Sequence, residues 1–197
     1  ETPGPEKEKL HPRIAVTAQR LWVIYASFTG IMIVMLMAGG MNFFESLCHA
    51  FGALSSGGFS PKNDSIAGYS PYIQYVVTFF MFLAGTNFAL HYLFFKGRIK
   101  QALTGAEFKA YVCLLLLASG VIAGMLIVKS DYPFEMAIRG ALFQVVSIVT
   151  CTGYATEDYM IWPQAAWFGI FLLMFAGGMA GSTSGGIKII RHILLFK

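Results

Sequence analysis

Four long stretches of the chain contain no Asp, Glu, Lys or Arg, and this feature most restricts what the chain can fold into. A helix needs about 20 apolar residues, with a range of roughly 17–25, to cross the hydrocarbon core of a bilayer. Each stretch meets that requirement. We therefore predict an all-α integral membrane protein with four spanning helices: Leu21–Gly40, Tyr72–Phe95, Tyr111–Val128 and Trp162–Gly181.

Composition supports a membrane protein over a soluble one. The chain is 56% hydrophobic and only 12% charged, whereas soluble domains carry roughly 25% charged residues. So little charge leaves too small a polar surface to cover a soluble core.

Two shorter apolar segments, Phe43–Leu54 and Phe134–Val149, lie between the long ones. Apolar segments of about 10–14 residues are often re-entrant. Asn42, with Glu45 three residues later, resembles a capping box at a helix start, and Pro133 suits a first helical turn. We predict two short helices that enter the membrane and stop.

The basic residues indicate how the chain is oriented. With a cytoplasmic N-terminus, 11 of the 14 lysines and arginines lie inside, as the positive-inside rule requires. The net charge of +4 is therefore a topology signal, and we expect a multi-pass protein of the cell (inner) membrane with no nucleic-acid partner. The three basic residues expected outside are Lys62, Lys129 and Arg139.

A pattern of long helix, short helix, glycine-containing loop and helix occurs twice. Ser55–Phe59 (SSGGF) and Thr150–Tyr154 (TCTGY) align at an offset of 95 residues. We therefore predict a polar segment at 1–20, a tail or connection, followed by pore repeats at 21–100 and 101–197. Each repeat is an outer helix, a pore helix, a filter loop and an inner helix of a pore-loop channel fold.

Such a loop is suited to a dehydrated cation. Irregular backbone at membrane depth is tolerated where it lines an aqueous path, and its carbonyl oxygens can replace the water around an ion. The C-terminus of the short helix adds partial negative charge there. Oxygen ligands suit hard cations such as potassium. TCTGY is close to the TVGYG loop of potassium channels, but one glycine replaces two, so we expect weaker selectivity.

From about residue 13 to 197 the sequence resembles the TrkH/KtrB/HKT superfamily of potassium transporters, and its TrkH branch most closely. The resemblance rests on HAF running into SSGGFS, and on FMFLAGTNFALHY, FQVVSIVTCTGY and FAGGMAGSTSGGIKIIR. It implies four repeats in the whole protein, of which these are the second and third. Cys151 stands at a position where Thr is commoner in the family. That difference leaves a role for the backbone carbonyl intact. The implied potassium-binding filter residues are Ser55, Ser56, Gly57, Gly58, Thr150, Cys151, Thr152 and Gly153.

Half of positions 177–186 are glycine, and each costs a helix about 1 kcal/mol relative to Ala. We predict that the last inner helix breaks here. The resemblance implies an intramembrane loop that obstructs the pore and moves on gating. Lys188 and Arg191 follow, either as cytoplasmic anchors or as contacts for a nucleotide-binding regulatory ring resembling TrkA or KtrA. The expected gate residues are Gly177, Gly178, Gly181, Ser182, Gly185 and Gly186.

Asn87 and His91 lie four residues apart, so we expect them on one helix face. Polar groups within a span usually face the bundle interior or a water-filled cavity. They either line a cavity or make interhelical hydrogen bonds.

We expect a pore-forming piece of a potassium uptake system, with potassium as substrate, no cofactor, and the first and fourth repeats missing. The whole protein is expected to be a homodimer. The chain begins at Glu1 and stops within an apolar pattern at Lys197, which is typical of a piece of a longer protein.

The alternative is another cation channel formed by a dimer of two-repeat chains, which flanking repeats would exclude. An enzyme is not expected, because the four histidines are scattered and no carboxylates are paired within a span.

Overall fold

The computed structural model describes residues 11–98, 103–130 and 132–195, which fold mainly into helices joined by loops. Within these ranges the only strand-type pairing is a single parallel bridge between Ala176 and Ile187. Residues 1–10, the first half of the predicted polar segment, lie outside the described residues. The α-helices are α1 (His11–Ala38), α2 (Phe43–Leu54), α3 (Pro71–Ala84), α4 (Phe88–Phe95), α5 (Ala106–Ser130), α6 (Phe134–Val149), α7 (Gln164–Leu173) and α8 (Ile189–Leu195).

The short helices α2 and α6 have the predicted bounds at both ends. Asn42 caps α2, because its side chain accepts a hydrogen bond from Glu45 N at 2.8 Å. The Glu45 carboxylate does not complete a capping box; it accepts from the Tyr69 hydroxyl at 2.9 Å and pairs with Lys62 at 3.4 Å. Partial burial raises the pKa of Glu45, but these two partners outweigh it and hold that pKa below its ordinary value. The carboxylate is therefore charged at the N-terminus of α2, where the helix dipole favours it.

Two helices of the described chain are long and apolar enough to cross a membrane, residues Ala18–Ala38 of α1 and Ala106–Ser130, all of α5. Helix α1 begins at His11, ten residues before the predicted start at Leu21, so the second half of the predicted polar segment is helical. The polar residues there extend the helix beyond its apolar span, since charge excludes a segment from lipid but not from a helix.

The predicted span Tyr72–Phe95 is wrong as one continuous helix. Helices α3 and α4 are bent by 100° at a break of three residues, and together they make a third candidate span. The chain turns after Gly85, where a side chain would overlap the Tyr111 hydroxyl and the Thr150 methyl group. Hydropathy alone did not reveal this break, because all of its residues are uncharged.

The predicted span Trp162–Gly181 is also wrong as one helix. Helix α7 has 10 residues, about 15 Å at 1.5 Å per residue, which is half of a hydrocarbon core. The helix ends at Leu173, before the first glycine of 177–186. Beyond it, Gly177 N donates to Ile187 O at 2.8 Å, so the intervening residues form a loop closed at its base.

Each long helix packs against the short helix that follows it, α1 on α2 and α5 on α6, and α3 packs on α6. The break after α3 and the loop between α7 and α8 meet at the ends of the two short helices.

Candidate functional site

The loops after α2 and α6 follow the same backbone course at an offset of 95 residues. Ser56 has φ 55° and Gly58 has φ 65°, while Cys151 has φ 57° and Gly153 has φ 81°. Positive φ is uncommon for residues other than glycine. The recurrence of that conformation at the second and fourth positions of both loops therefore indicates that the tertiary structure imposes it.

The amide groups of both loops turn back toward the helix that precedes them. In each loop the third and fourth amides donate to one carbonyl near the end of that helix. The donors are therefore satisfied within the loop. The bonds are Gly57 N and Gly58 N to Gly52 O at 2.9 and 3.1 Å, and Thr152 N and Gly153 N to Ser147 O at 2.9 and 3.3 Å.

The carbonyl groups of the same loops are left open. In the described part of the chain no donor bonds to a carbonyl oxygen at residues 55–58 or 150–153. Backbone carbonyls are strong acceptors, and those without a protein donor are free to bind another partner. Eight such oxygens beside two helix C-termini, which carry partial negative charge, form an arrangement suited to a cation.

The threonine hydroxyls do not belong to this set of open oxygens. Thr150 and Thr152 are buried, and their Oγ1 atoms lie 2.9 Å apart in a hydrogen bond. Thr150 Oγ1 also donates to Val146 O at 2.8 Å. The oxygens available from the second loop are therefore those of the backbone.

The two loops touch. A Cβ atom at Gly58 would overlap the carbonyl oxygen and carbon of Thr152. Behind this contact Tyr154 is fully buried, and its hydroxyl donates to Phe59 O at 3.0 Å and to His49 O at 3.3 Å. Thus the aromatic residue that ends the second loop supports the first loop from behind. Gly52 leaves room for that hydroxyl, since a Cβ there would overlap it.

Replacing Tyr154 with phenylalanine is expected to destabilise the protein by about 1–2 kcal/mol, because it removes the hydroxyl that donates to Phe59 O in the first loop and to His49 O in α2. The measurement is the melting temperature of the purified full-length protein in detergent. Tyr159→Phe is the control, since the described chain shows no hydrogen bond to that hydroxyl. An unchanged melting temperature in Tyr154→Phe would contradict the role given to these bonds.

The loop at 177–186 fills the break between α3 and α4. Met179 N donates to Gly85 O at 2.9 Å, and Thr183 N donates to Ala84 O at 3.2 Å. In return Phe88 N, at the start of α4, donates to Gly181 O at 3.1 Å. The loop thus satisfies backbone groups that the broken helix leaves open.

The same loop also reaches both glycine-containing turns. Thr183 Oγ1 lies 3.1 Å from Ser56 Oγ in a hydrogen bond. A Cβ at Gly185 would lie 3.7 Å from Cys151 Sγ, an ordinary contact distance. The structure therefore brings the predicted gate residues beside the predicted filter residues, at the ends where α2 and α6 stop.

Two charged side chains hold this loop. The Lys188 ammonium folds back and donates to Ser184 O, and it lies 3.4 Å from the hydroxyl oxygens of Ser182 and Ser184. On the other side the Glu107 carboxylate, at the start of α5, accepts from Ala180 N at 2.7 Å. Sequence reasoning missed Glu107, because an acidic residue in a first helical turn has an ordinary role there.

Of the remaining predicted residues, two make hydrogen bonds at the break between α3 and α4, and one lies on α8. Asn87 caps α4 by accepting from Ala89 N at 2.8 Å, and His91 Nε2 hydrogen-bonds to Leu83 O at 3.0 Å across the break. They therefore do not act as one pair, although His91 also borders an apolar cavity of about 420 Å³. Arg191 is exposed on α8.

No group of three or more His, Cys, Asp or Glu that could hold a metal ion is found in the described ranges.

Comparison with known proteins gives a matching family model and several sequence relatives. The model of the family described as "TrkH: Cation transport protein" matches residues 1–197. The chain is 38% identical over 200 residues to the Trk system potassium uptake protein TrkH of Halomonas elongata, and 36% identical over 201 residues to that of Escherichia coli K12. It is also 36% identical over 207 residues to the protein TrkG of Escherichia coli K12. These relatives are named as transport proteins, in agreement with the expectation that the chain is not an enzyme.

The fold is similar to that in the crystal structure of the potassium transporter TrkH from Vibrio parahaemolyticus. The TM-score is 0.89 at 35% sequence identity, over 94% of this chain and 41% of that one. The chain covers 42% of the TrkH sequences of Halomonas elongata and Escherichia coli K12, or about two fifths of their length.

Proposed function

Because the chain belongs to the TrkH family of cation transport proteins, we propose that it supplies two adjacent quarters of a potassium-conducting pore. One observation carries this proposal: two loops of the same backbone course touch each other, and neither has a donor on its carbonyl oxygens within the described residues. The sequence relatives named above are potassium uptake proteins.

The chemistry of the loops fits a weakly hydrated monovalent cation. Carbonyl oxygens at residues whose φ alternates in sign can face one axis and replace the hydration shell of potassium. Because the Thr150 and Thr152 hydroxyls bond to each other, the main chain supplies the ligands of the second loop. The proposed potassium ligands are the carbonyl oxygens of Ser55, Ser56, Gly57, Gly58, Thr150, Cys151, Thr152 and Gly153.

The loop at 177–186 then acts as the gate. Its bonds to the α3–α4 break and to Ser56 support a position at the inner end of the proposed filter, where it blocks the ion path until it moves. Glycine lets the loop pack closely at this point because it has no Cβ. At Gly178, for example, an added Cβ would overlap Ser184 Oγ and come too close to Gly85 O.

In this proposal residues 21–100 and 101–197 are the second and third of four pore repeats in the full-length protein, which forms a homodimer in the cell (inner) membrane. The 1–20 segment lies on the cytoplasmic side. Exposed Arg191 on α8 faces the same side, where it contacts a nucleotide-binding regulatory ring of the TrkA or KtrA type. The chain covers 42% of the TrkH sequence of Halomonas elongata, so a protein of that length has room for two further repeats.

Rubidium uptake into vesicles that contain the full-length protein tests this function. We expect uptake that external potassium suppresses more strongly than sodium does. Cys151→Thr is the matched variant, and it is expected to retain uptake within about twofold, because a similar side chain leaves the backbone ligand in place. A vesicle preparation of folded protein that takes up no rubidium would contradict the proposal.

A further inference from the structure

An apolar cavity lies between helices α1, α3 and α4 and the start of α5, with Leu103 at its edge. Its volume is about 420 Å³, and an apolar cavity of about 150 Å³ already holds a benzene molecule. Two lining side chains are polar, and both bond to backbone carbonyls. Thr86 Oγ1 donates to Phe82 O, and His91 Nε2 hydrogen-bonds to Leu83 O, each at 3.0 Å. The cavity therefore suits an apolar ligand.

The cavity opens at the side of the helix bundle. Several of its lining residues are about half exposed, and they come from α1, α3 and α4. Helices α1 and α5, which both contribute to the walls, contain the two candidate membrane spans. Since such spans are surrounded by hydrocarbon, the opening faces lipid. The exposed fractions are 51% for Ile31, 53% for Phe79, 54% for Phe94 and 65% for Phe95.

A second groove, of about 570 Å³, continues from the cavity along the first half of α1. The two share Phe95 on α4, and on α1 they meet where Ser27 of the groove adjoins Phe28 of the cavity. Arg20 borders the groove and Ile31 borders the cavity. These two residues are about 16 Å apart along the helix axis, a distance that a lipid acyl chain spans.

Two basic side chains lie at the far end of this groove, on either side of Tyr92 in sequence and space. Arg20 Nη1 donates to the Tyr92 hydroxyl at 2.7 Å, and Lys96 Nζ lies 5.0 Å from the centroid of the Tyr92 ring. Both side chains are exposed. The ion pairs found among the described residues involve other residues. An arginine has five N–H donors and a lysine three, so donors remain for an anion.

We propose that a phospholipid with an anionic headgroup binds here, with its phosphate between Arg20 and Lys96 and one acyl chain in the apolar cavity. Charge complementarity and the opening toward hydrocarbon both favour this occupant. Basic pockets between membrane helices on the cytoplasmic side bind anionic headgroups, and the proposed orientation puts both residues on that side. The site goes beyond the proposed function, because it takes a lipid and not the transported ion.

Native mass spectrometry of the full-length protein in a neutral detergent tests the headgroup contacts. The probes are dioleoylphosphatidylglycerol and dioleoylphosphatidylcholine, which carry the same chains. We expect the first phosphatidylglycerol to bind at least tenfold more tightly than the first phosphatidylcholine. Replacing both Arg20→Gln and Lys96→Gln is expected to abolish this preference. Lys109→Gln, which removes an exposed charge from α5, is expected to keep it within twofold.

Ile31→Trp tests the position of the acyl chain, because a larger side chain fills the cavity from α1. We expect it to weaken phosphatidylglycerol binding about tenfold. Val34→Trp is the control, since Val34 is 67% exposed on the same helix and is not among the lining residues. Glycerol 3-phosphate, which has a phosphate but no chains, is not expected to compete.

Equal affinity for the two lipids in the unmodified protein would overturn the inference, and that comparison requires no variant to fold. A loss that Lys109→Gln shares with the double variant would also overturn it, as would unchanged binding in a folded Ile31→Trp variant. Lipid binding is measured without ion flux, so failure here is distinguishable from failure of the proposed function.

Discussion

Replacing Gly58 with alanine is expected to lower potassium flux by about a hundredfold. The residue has φ 65°, and an added Cβ would overlap the Thr152 carbonyl in the neighbouring loop. Left-handed strain in a residue other than glycine costs about 1–3 kcal/mol, and the overlap with backbone atoms adds to it. Since neither backbone can move without displacing its own carbonyls, both proposed filter loops lose their shape. The measurement is rubidium uptake by the full-length protein in vesicles.

Gly57→Ala is the matched control for this experiment. Gly57 does not have a positive φ, and its nearest neighbour is the Ser55 hydroxyl oxygen, 3.1 Å from an added Cβ, which a side-chain rotation can displace. The second loop already carries threonine at the equivalent position 152. We therefore expect Gly57→Ala to retain at least tenfold more flux than Gly58→Ala, and equal losses would argue against the contact between the loops.

Removing either charged group that holds the 177–186 loop is expected to raise basal flux by about tenfold. Hydrogen bonds to charged groups contribute about 1.5–3 kcal/mol. Losing one bond that holds the closed state therefore shifts the closed–open equilibrium toward the open state by about tenfold or more. The variants are Glu107→Gln, which weakens the bond to Ala180 N, and Lys188→Met, which removes the bonds to Ser184. Basal flux is measured in vesicles without nucleotide or regulatory protein.

The controls each remove one charge near the loop without touching the loop. Lys109→Gln lies on the exposed face of α5 and Arg191→Met on the exposed face of α8, and neither is expected to alter basal flux. A shortened 177–186 loop is expected to raise it further. If basal flux is unchanged in Glu107→Gln and Lys188→Met while the proteins stay folded, the loop is not the gate.

The short helices could be predicted from sequence because their signals are local. Apolar length and the residues Asn42 and Pro133 determine where α2 and α6 begin, and glycine-containing turns determine where they stop. The equal spacing of the two turns likewise predicted which residues lie together, since loops after equivalent helices occupy equivalent places.

The breaks in the inner helices could not be predicted in the same way. An uncharged run is compatible with one long helix or two short ones, and the choice depends on partners far away in sequence. Here the α3–α4 break is satisfied by Met179, Gly181 and Thr183. The Glu107 bond likewise joins residues 73 positions apart. Hydropathy and periodicity contain no information about such tertiary backbone bonds.

The most direct test of the account is a structure of the full-length protein with rubidium, whose anomalous scattering locates the ion. We predict two or more rubidium peaks on one axis, within coordination distance of carbonyl oxygens at residues 55–58 and 150–153. Rubidium found only elsewhere, or loop carbonyls that turn away from a shared axis, would contradict the account.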